Sequence, residues 1–125
     1  MFMDSQFNQP IGNWDVSSVT NMSLMFNSTN FNQSIVNCNV SNVSNMNSMF
    51  KFNYKFNHDL SNWDVSSVTD CDLFNDMGSS TISPLWTLPK PNFTNCNPSL
   101  TLFLHKLFLF SFSFLLLNLP SLFSF

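Results

Sequence analysis

Glycine and charge are both scarce in this 125-residue chain. Its two glycines, Gly12 and Gly78, leave no room for a phosphate-cradling loop, and neither a GxGxxG nor a GxxxxGKS/T pattern occurs. Only 9% of the residues are charged and the net charge is −3, so there is no basic footprint and nucleic-acid binding is disfavoured. Cysteine is scarce as well. Cys38, Cys71 and Cys96 are odd in number and form no CxxC. Neither His58 nor His105 has a second His or Cys at metal-ligand spacing. No nucleophile, base and orienting group are clustered, so no catalytic, cofactor-binding or metal-binding residue is expected. No secretory signal opens the chain. What remains is a polar surface drawn from Asn, Ser and Thr, with 16 phenylalanines to bury.

The phenylalanines of the first half follow a period. Asn13-Trp14-Asp15-Val16-Ser17-Ser18-Val19-Thr20 recurs unchanged at Asn62-Trp63-Asp64-Val65-Ser66-Ser67-Val68-Thr69, and Asn37-Cys38-Asn39-Val40-Ser41-Asn42-Val43-Ser44 is a degraded copy between them. The copies begin 24 and then 25 residues apart. Full units start at Phe7, Phe31 and Phe56, and Met1-Phe2 matches Met25-Phe26 and Met49-Phe50. The third unit closes on Asp70-Cys71-Asp72-Leu73-Phe74 and reads one residue short.

Two periodicities alternate inside a unit. Trp14 and Val16 are two apart and share one face of an extended segment. Val19, Met22, Met25 and Phe26 have the spacing of one to two helical turns, with Ser18 or Thr20 as the cap. The expected core is therefore Trp14, Val16, Val19, Met22, Met25 and Phe26 in the first unit and Val40, Val43, Met46, Met49 and Phe50 in the second. In the third it is Trp63, Val65, Val68 and Phe74. Cys38 takes a Trp position and Cys71 a Met position, so both read as small apolar core substitutes rather than ligands or a disulfide pair. A unit this short cannot bury its apolar face alone and must stack on its neighbours. Stacking aligns Asn8, Asn32 and Asn57 in one structural column and Asn13, Asn37 and Asn62 in another, where amides can bond along the stack. Asp15, Asn39 and Asp64 form a third column. The Gly-rich Asp repeats of a calcium ladder are missing, so these are expected to be turn or cap residues.

The unit F-N-Q-(P/S)-(L/I)-x-x-W-D-V-S-x-V-x-x-M-x-x-M-F, carried by Phe7 to Phe26, Phe31 to Phe50 and Phe56 to Phe74, resembles the repeat of the BspA-like leucine-rich-repeat family. The resemblance implies an α/β repeat fold: a right-handed leucine-rich-repeat-like solenoid of short parallel strands and short helical turns. It also implies cell-surface proteins that bind other proteins or adhere, with no catalytic residue to carry over.

Domain boundaries follow composition. Residues 1–77 are the repeat region, 78–98 a Pro/Ser/Thr/Asn linker in which Trp86 has no repeat context, and 99–125 a Leu/Phe/Ser tail. The tail has three readings: a membrane segment through 100–119, a helix capping the open end of the stack, or translation out of frame after a change near Cys71. Six N-x-S/T sequons, at Asn21, Asn27, Asn32, Asn39, Asn42 and Asn92, are what an Asn- and Ser-rich composition generates. The function expected is a non-catalytic module for protein–protein interaction or surface adhesion, with a protein or glycan partner, no cofactor, and neighbouring repeats in a longer array. The alternative is a truncated or frameshifted remnant without present activity.

Overall fold

Hydrogen bonds along the stretch that follows each octapeptide set the architecture. In a computed structural model, which describes residues 1–78 and 86–96, this stretch stacks coil on coil. The amides of Met22, Leu24, Phe26 and Ser28 donate to the carbonyls of Asn45, Asn47, Met49 and Lys51 at 2.8–3.0 Å. Those of Met46, Ser48, Phe50 and Phe52 donate in turn to Asp70, Asp72, Phe74 and Asp76 at 2.7–3.0 Å. Phe2 and Asp4 donate to Met25 and Asn27, so the opening residues form a partial rung above the first full coil. Along this stretch alternate amides of each coil point to the next, and at its start the direction reverses: Ser44 and Asn45 donate back to Thr20, and Thr69 and Asp70 back to Ser44.

The intervening amides turn back on their own coil. Met25 and Asn27 donate to Met22 and Leu24, Met49 and Lys51 to Met46 and Ser48, and Phe74 and Asp76 to Cys71 and Leu73. Each segment is thus a run of overlapping turns. A left-handed residue sits in each: Leu24 (φ 58°), Ser48 (φ 53°) and Leu73 (φ 55°) in one column, Asp4 (φ 56°), Ser28 (φ 53°) and Phe52 (φ 56°) in another. An α-helix needs every amide to reach four residues back, and left-handed residues break it.

This overturns the expected fold class. Among the described residues none is helical, and extended pairing is confined to the parallel bridges Asn21–Asn45 and Asn45–Asp70. The chain is not an α/β solenoid of strands and helical turns. The apolar spacing that suggested a helix is met by consecutive turns whose free amides are satisfied between coils. The expected caps fail with the helix: the amides of Ser23, Asn47 and Asp72 are received by Oδ1 of Asn21, Asn45 and Asp70, not by Ser18 or Thr20.

Two phenylalanine columns fill the interior. Phe2, Phe26 and Phe50 stack at 6.0 and 5.4 Å, and Phe7, Phe31 and Phe56 at 6.2 and 6.1 Å. The columns touch rung by rung, with Phe26 4.0 Å from Phe31 and Phe50 4.3 Å from Phe56. All four of those rings are essentially buried, and each removes a large apolar surface from water. The third coil is not short in its backbone. Phe74 receives the Phe50 amide as Met49 receives that of Phe26, so Phe74 stands at the Met position and Asn75 takes the Phe position. The register continues through Asp76, and the gap that suggested a frame change near Cys71 is absent.

The one real insertion lies between Phe50 and Phe56, and Asn53 accommodates it. Asn53 is 2% exposed. Its Nδ2 donates to Thr29 Oγ1 (3.2 Å) and the Phe31 carbonyl (3.1 Å), while its Oδ1 receives the amides of Lys55 and Phe56 (both 3.0 Å). Replacing it by Ala strands several buried backbone groups at once. Asn53→Ala is expected to cost on the order of 3 kcal/mol, read as a lower urea midpoint of the full chain at unchanged slope.

Residues 86–96 lie across the third coil and cover part of it. Trp86 takes the next rung of the second aromatic column, 4.7 Å from Phe56 and 5.2 Å from Phe50, and is 3% exposed. Its Nε1 donates to the His58 carbonyl (2.9 Å), the Leu60 amide donates to Pro89 (3.0 Å), and Asn95 Nδ2 donates to Ser66 as Asn42 Nδ2 does to Ser17. A disulfide joins Cys71 to Cys96, with the Cα atoms 6.0 Å apart. Two expectations are corrected here. Trp86 belongs to a column of the repeat, and Cys71 is a disulfide partner as well as a buried core residue. Residues 79–85 and 97–125 lie outside the described residues, and with them all three readings of the tail and the segment 100–119. Among the described residues no helix is long and apolar enough to cross a membrane.

Candidate binding surface

The octapeptide builds the outward edge of each coil. Asp15 Oδ1 receives both the amide (3.0 Å) and the hydroxyl (2.6 Å) of Ser17. Asp64 does the same with Ser66, Asp59 with Ser61, and in the second coil Asn39 with Ser41. Asp15, Asn39 and Asp64 are thus turn residues, as expected for the third polar column, and Asp59, outside that column, makes the same turn. The serine hydroxyls, and secondarily the serine amides, hold the carboxyls of Asp15, Asp59 and Asp64 below their ordinary range. A carboxyl depressed in the folded state contributes stability above the unfolded pKa, and that contribution is lost as pH falls through the lower folded value. The thermal midpoint is therefore expected to drop as pH is lowered from about 5 towards 3. A triple Asp15→Asn, Asp59→Asn, Asp64→Asn variant should keep its turns, because Asn39 already makes the same one, and should lose this part of the acid dependence.

The Asn8 column is structural, by a mechanism slightly different from the one expected. Asn8 Oδ1 receives the Asn32 amide (2.9 Å) and Asn32 Oδ1 the Asn57 amide (3.0 Å). Asn57 Oδ1 then receives those of Thr87 and Leu88 (2.8 and 3.1 Å). The bonds run from backbone to side chain rather than from amide to amide.

The Asn13 column differs. Asn13, Asn37 and Asn62 are exposed, as Asn8 and Asn32 are, but among the described residues their carboxamides take no bond from a neighbouring coil, so the expected bonding along this column is not seen. Beside the first two an open groove of about 380 Å³ is lined by Pro10, Gly12, Asn13, Gln33, Ser34 and Asn37. Gly12 makes its floor possible: a Cβ there would lie 2.8 Å from the Ser34 carbonyl oxygen, so only glycine allows the first two coils to approach this closely. The lining carries three carboxamides and a hydroxyl and no charge.

On the inner side, the expected core residues fall into two groups. Met22, Phe26, Val40, Val43, Met46, Met49, Phe50, Trp63, Val65, Val68 and Phe74 are buried, whereas Val16, Val19 and Met25 are half-buried against them. Trp14 is 47% exposed although its copy Trp63 is 6% exposed. Trp63 rests on the coil before it and donates Nε1 to the Ile35 carbonyl (3.2 Å). Cys38 is a free, half-buried thiol in the tryptophan column. With Trp14, Met22, Met49 and Trp63 it lines an apolar cavity of about 30 Å³, the space left by the missing indole. Burial pushes the thiol pKa up, which disfavours the reactive thiolate.

Ile11, Phe31, Ile35, Phe56 and Leu60 are also buried but were not among the expected core positions, although Phe31 and Phe56 opened their units and so carried a signal. Thr29 and Asn53 gave none, because polar residues between units read as loop.

Coils built of turns, joined by a ladder of backbone amides and repeating the same side-chain columns, define a repeat protein whose recurring motif is scaffold. The chain belongs to the DUF285 family, described as "Mycoplasma protein of unknown function", whose family model matches residues 1–83. The match runs past Cys71, as the backbone register does. No curated protein and no solved structure matches the chain.

Proposed function

We propose that the protein is a non-catalytic binding module that acts outside the cell, recognising protein or glycan through the outer edge of its coils. The observation that carries this reading is the division of labour among the polar residues. The motif carboxylates Asp15 and Asp64 are tied into their own turns, while the uncharged carboxamides of Asn13 and Asn37 stand exposed beside a groove. Chemistry would need a free and perturbed acid or base, whereas recognition needs unengaged donors and acceptors on a rigid frame. The Cys71–Cys96 disulfide supports an oxidising compartment, and the resemblance to BspA-like repeats supports surface display. The competing reading, a remnant without activity, is tested by melting the purified full chain while following near-ultraviolet circular dichroism. A cooperative transition is expected of a module with these aromatic columns, and a gradual drift without one would favour the remnant.

A further inference from the structure

The groove between the first two coils points to a class of ligand. Its six lining residues present no charged side chain and no aromatic ring. A nucleotide, an acidic sugar or a charged peptide would find no counter-charge there, and an apolar ligand would find no apolar wall beyond Pro10 and Gly12. What the groove does offer is hydrogen bonding. Asn13 and Asn37 supply acceptor oxygens and paired N–H donors, Gln33 adds an acceptor oxygen while its Nε2 donates to Asn8 Oδ1 (3.3 Å), and Ser34 adds a hydroxyl that can do either. Asn13 and Asn37 repeat one coil apart, roughly 4.8 Å at the spacing of paired backbones. Asn62 is the third member of the column and is also exposed. The coil under the groove is fixed by the close approach of Gly12 to the Ser34 carbonyl, so the donors are held in place before a ligand arrives.

We infer that this groove binds a neutral, uncharged oligosaccharide, whose hydroxyls are both donors and acceptors and so match carboxamides in either sense. This rests on the reading of the protein as a binding module and names the ligand class of one site within it. Without an aromatic platform each contact is weak, and affinity comes from successive sugar units meeting successive rungs.

The test is a titration of the isotope-labelled full chain with neutral gluco- and galacto-oligosaccharides, read at the side-chain amide signals. The expected result is saturable shifts at Asn13, Gln33 and Asn37, growing with oligosaccharide length. Asn13→Asp and Asn37→Asp preserve shape while replacing donors by charge, and each is expected to weaken binding roughly tenfold. Asn57→Asp, in the structural column and outside the groove lining, serves as the comparison and should leave the titration unchanged. Shifts produced only by uncharged extended peptides would overturn the glycan assignment. Shifts confined to another surface would overturn the site while leaving the binding-module reading intact, and absence of a cooperative melt in the same sample would overturn that reading itself.

Discussion

Trp86→Ala is expected to lower the stability of the full chain by about 3–5 kcal/mol, the range for truncating a large buried aromatic residue. Trp86 closes the aromatic interior. Its ring meets Phe56 at 4.7 Å, Phe50 at 5.2 Å and Phe74 at 6.0 Å, and its Nε1 satisfies the His58 carbonyl. Removing it wets two columns at their last rung and leaves that carbonyl without its donor. Trp86→Phe separates the two effects, since phenylalanine is what the column carries at Phe7, Phe31 and Phe56. That variant should retain most of the packing and lose about 1 kcal/mol for the missing hydrogen bond. Urea unfolding followed by the fluorescence of the remaining tryptophans measures both. Equal losses for the Ala and Phe variants would mean that the hydrogen bond, not the ring, seats residues 86–96.

The period was legible because it is written in large apolar residues. Phe26 and Phe50, or Val43 and Val68, recur at the coil step and are buried at the same place in each coil. The secondary structure was not legible, because Val19, Met22, Met25 and Phe26 fit a helix and a chain of turns equally well. The residues that decide between them are Leu24, Ser48 and Leu73, which adopt left-handed φ without being glycine. A non-glycine residue accepts that conformation at a cost of about 1–2 kcal/mol, and composition does not announce it. Here the cost is offset because each such turn frees an alternate amide for the neighbouring coil. The geometry is therefore a property of the stack, and one unit's sequence cannot display it.

The groove was half legible. Asn13 and Asn37 were visible as a column, yet nothing local distinguished them from Asn8 and Asn32, which the stack consumes. Only the placement of backbone amides beside one column, and of Gly12 beside the other, separates carboxamides engaged by the next coil from those left facing the groove. The covering segment was hidden by spacing. Trp86 lies 30 residues after Phe56, outside the 24–25-residue step, and its prolines read as linker. Cys96, by contrast, lies 25 residues after Cys71, one full coil, and that coincidence was the available signal for the disulfide.

That disulfide carries the second large prediction. It ties the buried Met-column position of the third coil to the end of the covering segment and closes a loop of 25 residues. In the chain-entropy model a loop of this length restricts the unfolded chain by an amount worth about 3–4 kcal/mol. Cys96→Ser is the informative variant, because Cys96 is only half-buried whereas Cys71 is fully buried and a hydroxyl there would add a desolvation cost. Its thermal midpoint should fall by roughly 15–25 °C for a domain of this size. Reducing the wild-type chain with a dithiol should give nearly the same fall, and the dithiol should have little further effect on the Cys96→Ser variant. Cys38→Ser, which removes the unpaired thiol, should leave the response to reductant intact. If reduction and Cys96→Ser both left the midpoint where it was, residues 86–96 would be held by the rings of Trp86 and Phe93 and by the hydrogen bonds to Asn57 Oδ1, His58, Leu60 and Ser66. The crosslink would then report only the compartment in which the chain folded.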